Sequence, residues 1–195
     1  MGIEFELKYK ADPAVQEKVR EAFPGAEQTF AMATTYYDTP SGAFSARKST
    51  LRLRMENEIS VCTLKTPTDG LGRREWETEC DSIEAAIEKL CKLGGPQQVL
   101  SLADEGLLPI CGARFTRIAK TLTYGESVLE LAMDEGVLTG ADRQIPLCEV
   151  EVELKEGSQA DCLAFARTLE QQFGLIPEQH SKFRRALALY KGEEL

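Results

Sequence analysis

The most constraining feature of this chain is a charge at every second position, repeated in segment after segment. In Glu4-Phe5-Glu6-Leu7-Lys8-Tyr9 the ionic residues Glu4, Glu6 and Lys8 alternate with Phe5, Leu7 and Tyr9. Side chains alternate across a β-strand, so this period gives one ionised face and one apolar face. Taken alone, it is an ordinary half-buried strand whose charged side meets water. The pattern recurs, however. LRLR sets Arg52 and Arg54 against Leu51, Leu53 and Met55, and its partner run sets Thr63 and Lys65 against Cys62 and Leu64. GRREWE puts Arg73, Glu75 and Glu77 together, and SVLELAMD puts Glu130 and Asp134 opposite Leu129, Leu131 and Met133. LCEVEVEL groups Glu149, Glu151 and Glu153 with Val150, Val152 and Leu154 behind.

Two architectures satisfy such faces. An open sheet would turn them to bulk water and cover its apolar side with helices. A closed sheet would bury its apolar outside under helices and line a hydrated tunnel with the charges. In a tunnel the mixed signs are useful, because cations bind phosphate oxygens and carboxylates attract the same ligand through a hard divalent ion.

The remaining segments read as helices between strands. Asp12-Pro13 is an N-cap followed by N1, and Val15, Val19, Ala22 and Phe23 form a stripe that stops at Pro24-Gly25. Ser82 to Leu93, Gln159 to Phe173 and Ser181 to Tyr190 are further amphipathic helices, with a weaker helical segment between Gln97 and Pro109. β-branched and aromatic runs at 28–39 and 113–124 add strands, and Asn57-Glu58 joins a hairpin. With no fixed repeat and no low-complexity linker, residues 1–195 read as one α+β domain.

Charge and cysteines narrow the function. Twenty-three Lys and Arg against 32 Asp and Glu give a net charge of −9, which argues against a broadly basic surface for duplex nucleic acid but leaves room for a local anion pocket. No apolar run approaches the roughly 18 residues of a membrane span. Carboxylates stand where a signal peptide needs a basic and then apolar start, so the expected location is the cytoplasm, off the membrane. Six cysteines without a C-x-x-C pair and one histidine, His180, give no zinc pattern; the thiols are expected reduced and His180 structural or superficial.

Glu4-x-Glu6-x-Lys8, YYDT, LRLR, TLK, Arg73-x-Glu75-x-Glu77, Arg117, Asp134, Glu149-x-Glu151 and Ser181-Lys182, in that order, resemble the CYTH superfamily of triphosphate tunnel metalloenzymes. The resemblance runs from Glu4 to about Arg185. It implies an eight-stranded antiparallel β-barrel, closed into a tunnel with helices packed around the outside, and metal-dependent chemistry on triphosphates. By the same resemblance Glu4, Glu6, Asp134, Glu149 and Glu151 hold Mg²⁺ or Mn²⁺ as a pair of ions. Lys8, Arg52, Arg54, Lys65, Arg73, Arg117, Lys182 and Arg185 bind phosphates, and Glu4, Glu6 and Lys8 stand at the reacting centre.

The implied reaction is hydrolysis of inorganic triphosphate to diphosphate and phosphate. Thiamine triphosphatase, nucleoside triphosphatase, class IV-type adenylate cyclase and a noncatalytic polyphosphate or nucleotide receptor are the alternatives; the full acidic set favours an enzyme. By strand parity Arg74 points away from Arg73, Glu153 is a candidate neighbour in the acidic set, and Trp76 packs outside the tunnel. Tyr36 and Tyr37 read as barrel packing residues, one of them near the site.

Overall fold

The computed structural model describes residues 2–70 and 72–194, with side chains from Glu4 onward. Its strands are β1 (Gly2–Glu4), β2 (Glu6–Lys10), β3 (Glu27–Asp38), β4 (Thr50–Glu56), β5 (Ile59–Pro67), β6 (Arg73–Glu79), β7 (Leu108–Tyr124), β8 (Ser127–Gly140), β9 (Arg143–Glu156) and β10 (Ile176–Pro177). The helices are α1 (Pro13–Ala22), α2 (Ala43–Ala46), α3 (Ile83–Lys92), α4 (Gln97–Leu100), α5 (Gln159–Phe173) and α6 (Lys182–Lys191). None of them is long and apolar enough to cross a membrane. The segment after Gln97 gives only α4 and a 3-10 turn, and β7 starts earlier than the sequence suggests, at Leu108.

All strands join one antiparallel sheet in the order β1-β6-β5-β4-β3-β7-β8-β9-β2-β10. The seam is spanned by the N-terminal stretch rather than by a continuous ladder. Gly2–Glu4 pairs with β6, whereas Glu6–Lys10 pairs with β9, and the carbonyl of the intervening Phe5 accepts from Leu154 N at 2.9 Å. Counting β1 and β2 as one stretch gives eight strands around the barrel, with the two-residue β10 as an extra edge on β2.

Apolar burial lies mostly outside the ring. Phe5, Tyr9, Leu131 and Val150 pack under α1 and α5, while Leu51, Leu64 and Trp76 pack under α3 and α4. Each side chain has opposite parity to its charged neighbours, so the strand period places the charges inside. Ser82 and Ser158 cap α3 and α5, accepting from Ala85 N and Asp161 N. Lys120 is buried, and its ammonium donates to the carbonyls of Arg20 and Phe23, closing the C-terminal end of α1.

Helix α6 has a different seat. It packs on Ala113, Phe115, Leu138 and Leu147, which share parity with Arg117, Asp134 and Glu149, and so covers one end of the barrel against inner-face residues. Gly140 makes this approach possible: a Cβ there would lie 2.4 Å from Tyr190 N and 2.5 Å from Ala186 O.

Candidate active site

The ring encloses a cavity of about 560 Å³. Strand β9 lies across it from β4, four steps away in either direction round the ring. One wall, formed by β2, β8 and β9, carries Glu6, Glu130, Glu151 and Glu153; the facing wall carries Arg52, Arg54 and Lys65. Arg73, Glu75 and Glu77 line the same space from β6.

Asp134, Glu149 and Glu151 are 0%, 1% and 6% exposed and form the most deeply buried charged group among the described residues. Each offers a carboxylate oxygen, and the three oxygens lie within 4.8 Å of one another. They converge because Asp134 and Glu149 are direct partners across β8 and β9, and Glu151 is the next inward position on β9. From outside the ring, Gln16 of α1 fastens this point by donating to the carbonyls of Asp134 (3.0 Å) and Glu149 (2.9 Å).

Three cations answer the three acids. Arg117 donates Nε and Nη2 to Asp134 at 2.8 and 2.7 Å and also pairs with Glu151. Lys182 Nζ lies 2.7 Å from Asp134 and 2.8 Å from Glu151 and bonds Glu149 as well. Arg185 pairs with Glu149. Burial pushes Glu151 up, but Lys182, Arg117 and Lys8 outweigh it and hold this carboxyl well below the usual range. At Glu149 burial prevails, helped by Glu151 against Lys182 and Arg185, and raises the carboxyl to about 7. Three close, buried oxygen donors suit a hard divalent ion such as Mg²⁺ or Mn²⁺. The residues present therefore fit the metal that the sequence resemblance implies.

Glu4, Glu6 and Lys8 stand beside this cluster. Lys8 Nζ donates to Glu6 at 2.6 Å. Burial opposes the charge on Lys8, yet Glu6 and Glu151 outweigh it and hold the ammonium protonated. Glu6 feels burial and Glu151 upward and Lys8 and Lys65 downward, with a net fall. Glu4 pairs with Lys65, but burial and Glu6 leave its carboxyl raised.

On the cationic wall Arg54 pairs with Glu56, and Lys65 with Glu4 and Glu75. Among the described residues Arg52 pairs with Glu75 alone, at 3.7 Å, and the buried Nε atoms of Arg52 and Arg54 have no partner. Burial and the charge of Arg52 both lower the proton affinity of Arg54. Arg73 is more committed, donating to the carbonyls of Lys48 (2.7 Å) and Lys65 (3.2 Å).

Of the residues named from sequence, Glu4, Glu6, Lys8, Arg52, Arg54, Lys65, Arg73, Arg117, Glu151 and Lys182 line the cavity, while Asp134, Glu149 and Arg185 join through the ion-pair cluster. Glu153 faces inward with them, Arg74 is exposed, and Trp76 packs outside. Tyr36 lines the cavity and Tyr37 packs outside.

Several inward residues carried unread signals. Phe115 shares the parity of Arg117, Phe30 is the cross-strand partner of Arg117, and Glu56 lies two residues beyond Arg54. Lys155 follows the parity of Glu153. His180 is on the rim of the cavity, carried there by the segment leading into α6, whose position no local pattern encodes.

Residues 2–187 match the CYTH domain family. An inorganic triphosphatase of Haemophilus influenzae is 30% identical over 165 residues, covering 83% of this chain; the chain spans about half the length of that curated relative, 47%. Among solved structures, a Hippeastrum putative adenylyl cyclase described as having a dominant triphosphatase activity superposes with a TM-score of 0.69 at 20% identity. The match covers 100% of this chain and 98% of the other. A Pyrococcus horikoshii protein gives 0.63 at 22% identity, covering 93% and 97%. Those structural likenesses establish the same fold, and the match across nearly the whole chain establishes that this protein belongs to the CYTH domain family.

Proposed function

We propose that this chain hydrolyses inorganic triphosphate to diphosphate and phosphate with the aid of Mg²⁺ or Mn²⁺. One observation carries the reading: an acidic wall and an incompletely partnered cationic wall face each other across one cavity. Transfer of a phosphoryl group asks a protein for charge neutralisation and alignment more than for covalent work.

Asp134, Glu149 and Glu151 would hold the metal, with Glu4 and Glu6 extending the acidic wall. When bound, a divalent ion supplies Lewis-acid stabilisation of phosphate oxygens and a more acidic water. Arg52 and Arg54 would orient the anion from the opposite side, their unpartnered Nε–H groups being donors left to give. Lys8 stays protonated against Glu6 and would bind a phosphate oxygen. Glu4, with its raised proton affinity, is the carboxylate suited to take a proton from the attacking water.

Phe115 favours the inorganic substrate. It carries Lys182 Nζ at 5.2 Å and the Arg117 guanidinium at 5.9 Å from its ring centre, so it supports cations rather than offering a platform for a base. Initial rates with inorganic triphosphate, ATP and thiamine triphosphate at one pH and metal concentration, with products resolved, test the reading. Inorganic triphosphate should show the highest kcat/KM, and activity should vanish in chelator. Full turnover in chelator by protein free of metal in elemental analysis would remove the metal from the proposal, and a preference for either organic substrate would replace the substrate.

A further inference from the structure

Lys182 lies where a cation of the acidic cluster belongs. Its Nζ contacts Asp134, Glu149 and Glu151, all three members of the group, while the lysine itself comes from α6 rather than from the barrel wall. The pairing sharpens the point. Each of the three buried carboxylates already has a cation among Arg117, Lys182 and Arg185 before any metal arrives. A divalent ion entering a buried cluster whose oxygens are taken by resident cations gains little from it unless one of those cations leaves.

The residents differ in their freedom to leave. Arg117 is gripped by Asp134 through two nitrogens and belongs to β7 at the centre of the sheet. Lys182 is the first residue of α6, immediately after the N-cap Ser181, on a side chain with four rotatable bonds. It also lines the cavity, so an ammonium withdrawn from the carboxylates remains within the space that would hold the triphosphate.

We propose that Lys182 is a built-in stand-in for the divalent ion: it neutralises Asp134, Glu149 and Glu151 in the metal-free protein and must withdraw for the metal to bind. The idea rests on the cluster being a metal site, as argued above. It makes Lys182 a positioning residue with alternative partners, the carboxylates before metal and a phosphate oxygen afterwards. Metal and triphosphate then favour one another's binding, because the triphosphate draws off the ammonium that blocks the metal.

Calorimetric titration of chelator-treated protein with Mn²⁺, without triphosphate, tests this directly. Lys182→Met should bind Mn²⁺ about tenfold more tightly than the unchanged chain, since a competing cation is gone while the three carboxylates remain. Equal or weaker binding by a folded Lys182→Met protein overturns the proposal and leaves the metal site intact. Absence of Mn²⁺ binding in both proteins overturns the metal reading and the proposal together.

If the variant does not fold, hydrogen exchange on the unchanged chain decides the matter. Lys182 and Arg185 fasten the start of α6 to Glu149, so Mn²⁺ should speed exchange in the first turn of α6 as Lys182 lets go. Unchanged or slower exchange there, with Mn²⁺ bound, overturns it.

Discussion

Arg117 and Asp134 are direct partners across the β7–β8 ladder, and the guanidinium meets the carboxylate through both Nε and Nη2. The geometry places a two-pronged ion pair on the inner wall with the acid fully buried. Such a pair matters most when one member is removed, because its partner is stranded without water. Arg117→Met should therefore lower stability by about 3–5 kcal/mol in chelator. Urea unfolding of both proteins checks it, and Mg²⁺ should restore part of the loss. A drop of under about 1 kcal/mol would mean that Lys182, 2.7 Å from Asp134 and 2.8 Å from Glu151, holds the acids without Arg117.

The paired arginines on β4 should behave in the opposite way. The charge of Arg52 disfavours that of Arg54, and their Nε atoms lack partners among the described residues. Arg52→Ala and Arg54→Ala should leave the far-UV spectrum and unfolding midpoint nearly unchanged. Each should lower kcat/KM for triphosphate by about ten- to a hundredfold, the loss of a hydrogen bond to a charged group. Unaltered kinetics in both would mean that their face does not meet the substrate.

Glu149 makes the metal-free protein sensitive to pH. Its carboxyl is raised to about 7 in the fold from an ordinary value of 4.5. A raised carboxyl stabilises the fold below the unfolded value and loses that contribution as pH climbs through the folded value. In chelator, stability should thus fall between pH 4.5 and about 7 by more in the unchanged chain than in Glu149→Gln. Parallel stability curves for the two proteins would assign the pH dependence to other groups.

Helix α6 is seated by the lack of a side chain at Gly140. Gly140→Ala puts a methyl group into Ala186 O and Tyr190 N, so the helix must shift and carry Lys182 and Arg185 with it. A destabilisation of about 1–3 kcal/mol should appear in thermal unfolding, together with a lower kcat/KM. Gly70→Ala, where a Cβ meets open space, is the comparison and should be silent.

The charged faces were legible because strand parity is a local property. Glu4, Glu6 and Lys8, or Arg52 and Arg54, declare a common face two residues at a time, and the helix caps at Asp12 and Ser82 are equally local. The bulk of the fold followed. What parity cannot express is distance around a ring. That Lys182 would meet Glu149, or that Gln16 would reach through to the carbonyls behind Asp134 and Glu149, depends on how α6 and α1 dock after the sheet has curled. The rim position of His180 follows from the same docking. The short α2 and β10 escaped notice because four and two residues leave no periodicity to read.

The seam at Phe5 has a bearing on how the molecule is assembled. Glu4 and Glu6 are separated by one residue, yet the first sits in the β6 ladder and the second in the β9 ladder. The pairing of Glu6 with Glu153 also joins nearly opposite ends of the sequence, which is the costliest kind of contact to nucleate. The Glu4 and Glu6 end of the acidic wall should therefore lock into place after the β8–β9 hairpin that carries Asp134, Glu149 and Glu151. In refolding, recovery of triphosphate turnover should lag behind the far-UV signal, and simultaneous recovery would show that the seam closes together with the sheet.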